Sequence, residues 1–142
     1  MSLHAGQIQQ YLNKISGPLL DRIDIHVEVP AVPYKELRGD AVAESSSDIR
    51  ARVESARVIQ QARGYYNARM PARMVRKLCA LDDSGERTLE MAVRRMGFSA
   101  RAHDRILKVA RTIADLGESV GVSAKHVAEA VQYRSLDRNY WT

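Results

Sequence analysis

Side chains able to do chemistry are unevenly supplied in this sequence, and arginine dominates them. The four histidines, His4, His26, His103 and His126, never stand four residues apart, and Cys79, the one cysteine, has no nearby histidine to take its proton. Metal ligation by a helical pair and thiol catalysis are therefore not suggested. No glycine is followed by lysine, so the phosphate-cradling loop G-x-x-x-x-G-K-[ST] is absent. In LCALDD, Asp82 and Asp83 stand as a magnesium-binding carboxylate would at a strand end, but the preceding Arg73, Arg76 and Lys77 read as helix, and Asp83 in DSGE fits a capping role.

What remains is cationic. Arg50, Arg52, Arg57, Arg63, Arg69, Arg73, Arg76 and Lys77 face only Glu54 within their own stretch, a field that would attract phosphate on a nucleotide or nucleic acid. A solvated, arginine-rich helix surface explains the same residues. Only Tyr65 and Tyr66 interleave with them, which is little for a stacking surface. Arg22, in LLDRID, reads on its own as a surface partner of Asp21 or Asp24, and Arg101, in SARAHDR, as an exposed helix arginine beside Arg105.

The elements that must position these residues are mostly helical. Ile8, Leu12 and Ile15 give helical spacing from Ala5 to Ser16, stopped by Gly17-Pro18. Ile25, Val27 and Val29 then alternate with Asp24, His26 and Glu28, which predicts a short strand. Residues 31–46 read as a polar connector. Ser45 with Asp48 predicts a helix start, with Ile49, Val53, Ala56 and Ile59 on one face to about Gly64. Pro71 suits a first helical position ahead of Met74, Val75 and Leu78. Asp83 caps a helix with Leu89, Ala92, Val93 and Met96 inward and its end at Gly97; Ser99 caps the next, with Ile106, Ala110 and Ile113 facing one way and Arg101, Arg105, Lys108 and Thr112 another. Ser123 caps a last helix with Val127, Ala130 and Val131 inward. The prediction is a cluster of four or five helices preceded by a helix–strand fragment, with no internal repeat and no low-complexity segment.

At 142 residues, with 45% hydrophobic and 27% charged, the chain has the composition of one globular domain with a real core. No apolar run approaches the roughly 20 residues of a membrane span, and the N-terminus lacks a signal-peptide layout, which predicts a cytoplasmic protein without a membrane partner. Cys79 alone cannot form an internal disulfide and reads as a small buried hydrophobe. A lone strand cannot pair its backbone, so residues 5–30 read as the tail of a sheet whose other strands lie elsewhere. That segment is expected to come away from the helices or to pair with the same segment of a second chain.

The blocks YLNKISGPLLDRIDIHVEVP, ESSSDIRARVESARVIQQAR, FSARAHDRILKVARTIADL and HVAEAVQYRSLDR, in that order, resemble the C-terminal part of magnesium-chelatase-like AAA+ ATPases, in particular their bacterial ComM/YifB branch. The resemblance runs from about Gln7 onward. It implies a mainly α fold, an AAA+ C-terminal helical lid over residues 47–142, joined by the connector 31–46 to residues 1–30 as the last helix and strand of an α/β ATPase core. It places Arg22 where the family keeps an arginine finger, offered in trans to the γ-phosphate on a neighbouring subunit. Arg101 falls at the family's sensor-2 arginine, in the first turn of a lid helix.

By the same resemblance, ATP and Mg²⁺ belong to the full-length protein, and the partners are other subunits of a homo-oligomeric, hexameric ring, with DNA as a possible substrate. The implied function is ATP-driven remodelling of DNA in recombination or natural transformation. Two alternatives stay open: a motor subunit of magnesium chelatase serving Mg²⁺ insertion into a porphyrin, and a free-standing basic helical module that binds nucleic acid. The absent phosphate loop predicts that this chain alone holds no tightly bound cofactor, no metal site, and no ATPase activity.

Overall fold

The computed structural model describes Leu19 and residues 22–27, 29–31 and 43–134. Five α-helices occupy the described residues: α1 (Ser46–Ala62), α2 (Ala72–Leu78), α3 (Asp83–Met96), α4 (Ala100–Leu116) and α5 (Ala124–Gln132), with a 3₁₀ turn at Asn67–Arg69 between α1 and α2. The fold is mainly α. None of these helices is long and apolar enough to cross a membrane.

Local chemistry sets the helix starts. The Ser45 side chain accepts from the Asp48 amide and the Ser99 side chain from the Ala102 amide, each filling a donor that a helix N-terminus leaves orphaned. The Ser123 amide donates to His126 Nδ1 at 3.1 Å, the reach-back half of a capping box. α3 is capped by Asp82 rather than by Asp83, which is its first helical residue. The reason is Gly85: Asp82 Oδ1 takes its amide at 2.7 Å, and a Cβ there would lie 3.1 Å from that oxygen. Pro71 likewise stands one position earlier than expected, as the cap of α2. α3 ends at Gly97, whose φ of 63° suits a residue without a Cβ.

α4 is the central helix. It packs against α1, α2, the 3₁₀ turn and α5, while α3 lies on α5. Its small residues Ala102, Ala110 and Ala114 are buried and let neighbours approach closely, and Ile106, Leu107, Val75, Cys79, Leu89, Val122 and Val127 fill the space between. A parallel backbone bridge between Leu81 and Val122 ties the loop before α3 to the loop before α5.

Further sequence expectations are corrected. On α1 only Ala56 and Gln60 are buried, whereas Ile49 and Val53 are exposed, because the neighbouring helix covers only the C-terminal half of α1. The described residues of the expected strand, Asp24 to Val27 and Val29, form no strand, since strand geometry needs a paired neighbour and none exists among the described residues. Of the segment expected to come away from the helices, the described part is joined to them: the His26 amide donates to the Tyr133 carbonyl at 2.7 Å. The expected helix from Ala5 to Ser16 lies outside the described residues.

Candidate functional site

On α4, Arg101, Arg105, Lys108 and Thr112 recur at helical spacing and form the face that points away from Ile106 and Ala110. Arg101 lies in the first turn, next to the Ser99 cap, and is exposed. Arg101, Arg105 and Lys108 line a cleft of about 220 Å³ with Asp24, Asp104, Ala68 and Ala72. Three cations against two carboxylates leave the cleft net positive. Asp24 is already paired with Arg105, and Asp104 faces His103 Nδ1 at 3.2 Å.

Arg22 is exposed and stands beside this cleft through its backbone. Its amide donates to the Leu19 carbonyl at 3.0 Å, and its own carbonyl accepts from Arg105 Nη1 at 2.8 Å. The structure therefore brings the backbone of Arg22 to the helix that carries Arg101, four residues before Arg105. The carboxylate of Asp24, which the sequence offered as a partner for Arg22, is engaged by Arg105 instead. An apolar groove of about 410 Å³ continues from the cleft, with Asp24 and Ile25 on one wall and Val109, Ile113, Leu116 and Tyr133 among the others.

The broader basic stretch is partly used up internally. Arg52 pairs with Glu44, Arg63 with Asp115, and Arg57 lies 5.0 Å from the centroid of the Tyr66 ring. Tyr66 Oη takes a hydrogen bond from Gln61 Nε2, and Tyr65 packs against the core, so neither tyrosine is left as a stacking platform. Arg50, Arg69, Arg73, Arg76 and Lys77 remain exposed.

One polar constellation escaped the sequence reading. Asp115 is buried at 1% exposure and accepts from Arg63 through both oxygens, from Asn67 Nδ2 at 2.8 Å and from Arg111 Nε at 3.0 Å. Arg111 also donates to the carbonyls of Val120 (2.9 Å) and Ser119 (2.6 Å), and the Asn67 amide donates to Gln60 Oε1. This network binds α1, the 3₁₀ turn and the end of α4 together. Its only local sequence signal is the four-residue spacing of Arg111 and Asp115.

Burial pushes the Cys79 thiol up to about 11, which makes it unreactive, and lowers the pKa of His126 below its ordinary value. Among the described residues no group of three or more His, Cys, Asp or Glu side chains is arranged to hold a metal ion. The magnesium that the sequence resemblance implies for the full-length protein therefore finds no fitting donor set among the described residues.

The family model described as "Magnesium chelatase, subunit ChlI C-terminal" matches residues 43–134, and that described as "Magnesium chelatase, subunit ChlI" matches residues 2–37. The chain is 43% identical over 135 residues to the competence protein ComM of Haemophilus influenzae and 41% identical over 134 residues to the YifB protein of Escherichia coli; each alignment covers 93% of this chain and 26% of the relative. A Mycobacterium tuberculosis protein is 33% identical over 135 residues, again 26% of its length. The chain thus spans about a quarter of the curated relatives it matches. With the C-terminal model covering all five helices, the chain belongs to the magnesium-chelatase-like family, alongside the ComM and YifB proteins.

Proposed function

We propose that this chain is the nucleotide-pocket-closing part of a ComM/YifB-type ATPase: residues 1–30 the end of the ATPase core, 31–46 a connector, and 47–142 the lid. The observation that carries the reading is the basic face of α4, Arg101, Arg105 and Lys108, with the backbone of Arg22 bound at its edge. Guanidinium groups are permanently charged and fork onto phosphate oxygens, so an exposed arginine fixed at its backbone suits a γ-phosphate on a neighbouring subunit. There it would stabilise charge spread over the transferring phosphoryl group, worth roughly 10³ to 10⁵ in rate in well-studied cases. Arg101, in the first turn of α4, suits a phosphate of the nucleotide that the lid closes upon.

In this reading ATP is the substrate of the full-length, ring-forming protein. Magnesium would be held by residues outside the described ones. The role proposed for that protein, remodelling of DNA in recombination or natural transformation, is the one the sequence resemblance implies, and likeness to a protein named for competence agrees with it. The free-standing nucleic-acid module loses support, because the arginine-rich stretch spends Arg52, Arg57 and Arg63 on internal partners.

The test is ATP hydrolysis by the full-length oligomer. Arg22→Ala is expected to reduce kcat by about 10³ with nucleotide affinity nearly intact, because a finger acts on transition-state charge. Arg101→Ala is expected to impair hydrolysis and nucleotide-dependent lid movement. Wild-type hydrolysis by both variants would refute the reading, as would ATP turnover by this chain alone.

A further inference from the structure

Residues 22–26 are joined to the helical domain by polar links rather than by packing. Arg105 Nη1 donates to the Arg22 carbonyl at 2.8 Å and to the Asp24 carboxylate. The buried Arg134 donates through Nη1 to the Ile23 carbonyl at 2.9 Å. The His26 amide fills the carbonyl of Tyr133, one of the acceptors that the end of α5 leaves open. Apolar burial adds little: Ile23, Ile25 and Val27 are all exposed, and the groove beneath Ile25 is open. The position of the Arg22 backbone is thus set by which carbonyls the two arginines reach.

We propose that Arg105 and Arg134 form a clamp that positions Arg22 from the lid, so that lid movement sensed through α4 is passed to the phosphate-facing arginine. The proposal rests on the reading of Arg22 given above and adds two positioning residues to it. Arg105 lies one turn after Arg101 on one rigid helix, so displacement of α4 moves the Arg22 carbonyl through a single hydrogen bond. A chain of two guanidinium contacts at adjacent carbonyls fixes both the height and the rotation of the segment, which one contact alone would leave free. Asp24 completes the Arg105 end by pairing with the same nitrogen that holds the Arg22 carbonyl. A single nitrogen serving two acceptors is a task that a lysine ammonium can also perform, because it has three donors.

The experiment has two arms. In this chain, hydrogen exchange at the His26 amide reports whether the segment is docked. Arg105→Ala is expected to speed that exchange about three- to tenfold, a factor reduced by the partial exposure of the pair, with the amides of Ile106 and Val127 unchanged. Arg105→Lys is expected to restore most of the protection, and Asp24→Asn to add little on the Arg105→Ala background. In the full-length oligomer, Arg105→Ala is expected to lower kcat for ATP about tenfold with KM within twofold, and Arg105→Lys to recover it. Unchanged His26 exchange in Arg105→Ala overturns the clamp, whatever Arg22 does. Faster exchange with normal kcat, while Arg22→Ala is inactive, overturns the positioning role and leaves the Arg22 reading intact. Normal hydrolysis by Arg22→Ala overturns that reading and the role given to the clamp with it.

Discussion

Replacing Asp115 by alanine removes the acceptor on which three side chains converge, and the structure allows the cost to be worked out. Counting every lost charge-assisted hydrogen bond at its full value would give more than about 5 kcal/mol, a large part of the stability of any domain this size. That overcounts, because Arg63, whose side chain is 17% exposed, can turn to water. The irreducible term is Arg111, 4% exposed, whose charge would lose its counterion. Breaking a buried pair by deleting one partner costs about 3–5 kcal/mol. Arg111 keeps the carbonyls of Ser119 and Val120, so the low end applies, about 3 kcal/mol. At about 4–8 °C per kcal/mol for a small domain, the melting temperature should fall by roughly 12–24 °C.

The assay is urea denaturation of this chain followed by circular dichroism at the helix band. Arg63→Ala should cost about 1 kcal/mol, because its partner keeps Arg111. The double variant Asp115→Leu with Arg111→Met should be less destabilised than Asp115→Ala alone, because both buried charges leave together. A loss under about 1 kcal/mol for Asp115→Ala, or strict additivity in the pair, would refute the assignment of Asp115 as the charge that holds α1 to α4.

Three further outcomes follow from single residues. Cys79, with its thiol pushed up to about 11 by burial, should react with a thiol reagent at pH 8 only slowly until denaturant is added; equal rates folded and unfolded would contradict its burial. His126 has its folded pKa lowered by burial, so the unfolded chain takes the proton first: stability should be fully present above about pH 6.5 and fall as the pH drops below it, and His126→Gln, which can still accept from the Ser123 amide, should flatten that fall. A variant whose pH profile matched the wild type would exclude His126 as the cause. Glu118 is the one non-glycine described at positive φ, 52°, and is exposed, so Glu118→Gly should raise stability by up to about 1 kcal/mol in the same urea titration, whereas a loss would show that the left-handed turn carries no strain.

What could be read from the sequence was local. Ser45, Ser99, Ser123 and Gly97 announce helix ends because a cap acts on amides or carbonyls within four residues. The inward positions of α4 followed from period alone at Ile106 and Ala110, since that helix is covered along its length. The same rule failed for Ile49 and Val53, because periodicity marks a face but not how far a neighbour extends along it. The cap of α3 was misplaced by one residue because adjacent aspartates are equivalent in a pattern; only the close approach that Gly85 permits separates them. The strand failed for a deeper reason. Alternation records which faces a segment was selected to bury, whereas a strand is defined by the chain beside it, so residues 24–27 and 29 can carry the pattern without the structure.

The arginines show where such reading stops. Arg105, Arg111 and Arg134 each donate to a backbone carbonyl, and every residue has one, so residue types carry no record of the partner. Arg63 finds a carboxylate 52 positions away, and Arg134 a carbonyl 111 positions away. A charge count therefore treats these four and Arg101 alike, although Arg63 and Arg111 bind Asp115, Arg105 and Arg134 donate to the carbonyls of Arg22 and Ile23, and Arg101 lines the cleft. On the proposed reading the distinction matters for function, because the arginines assigned to phosphate, Arg22 and Arg101, are positioned by a backbone contact and by a helix rather than by their charge alone. Removing a holding arginine should therefore impair chemistry without touching substrate, which is why the His26 amide, rather than turnover alone, is the measurement that separates holding from contact.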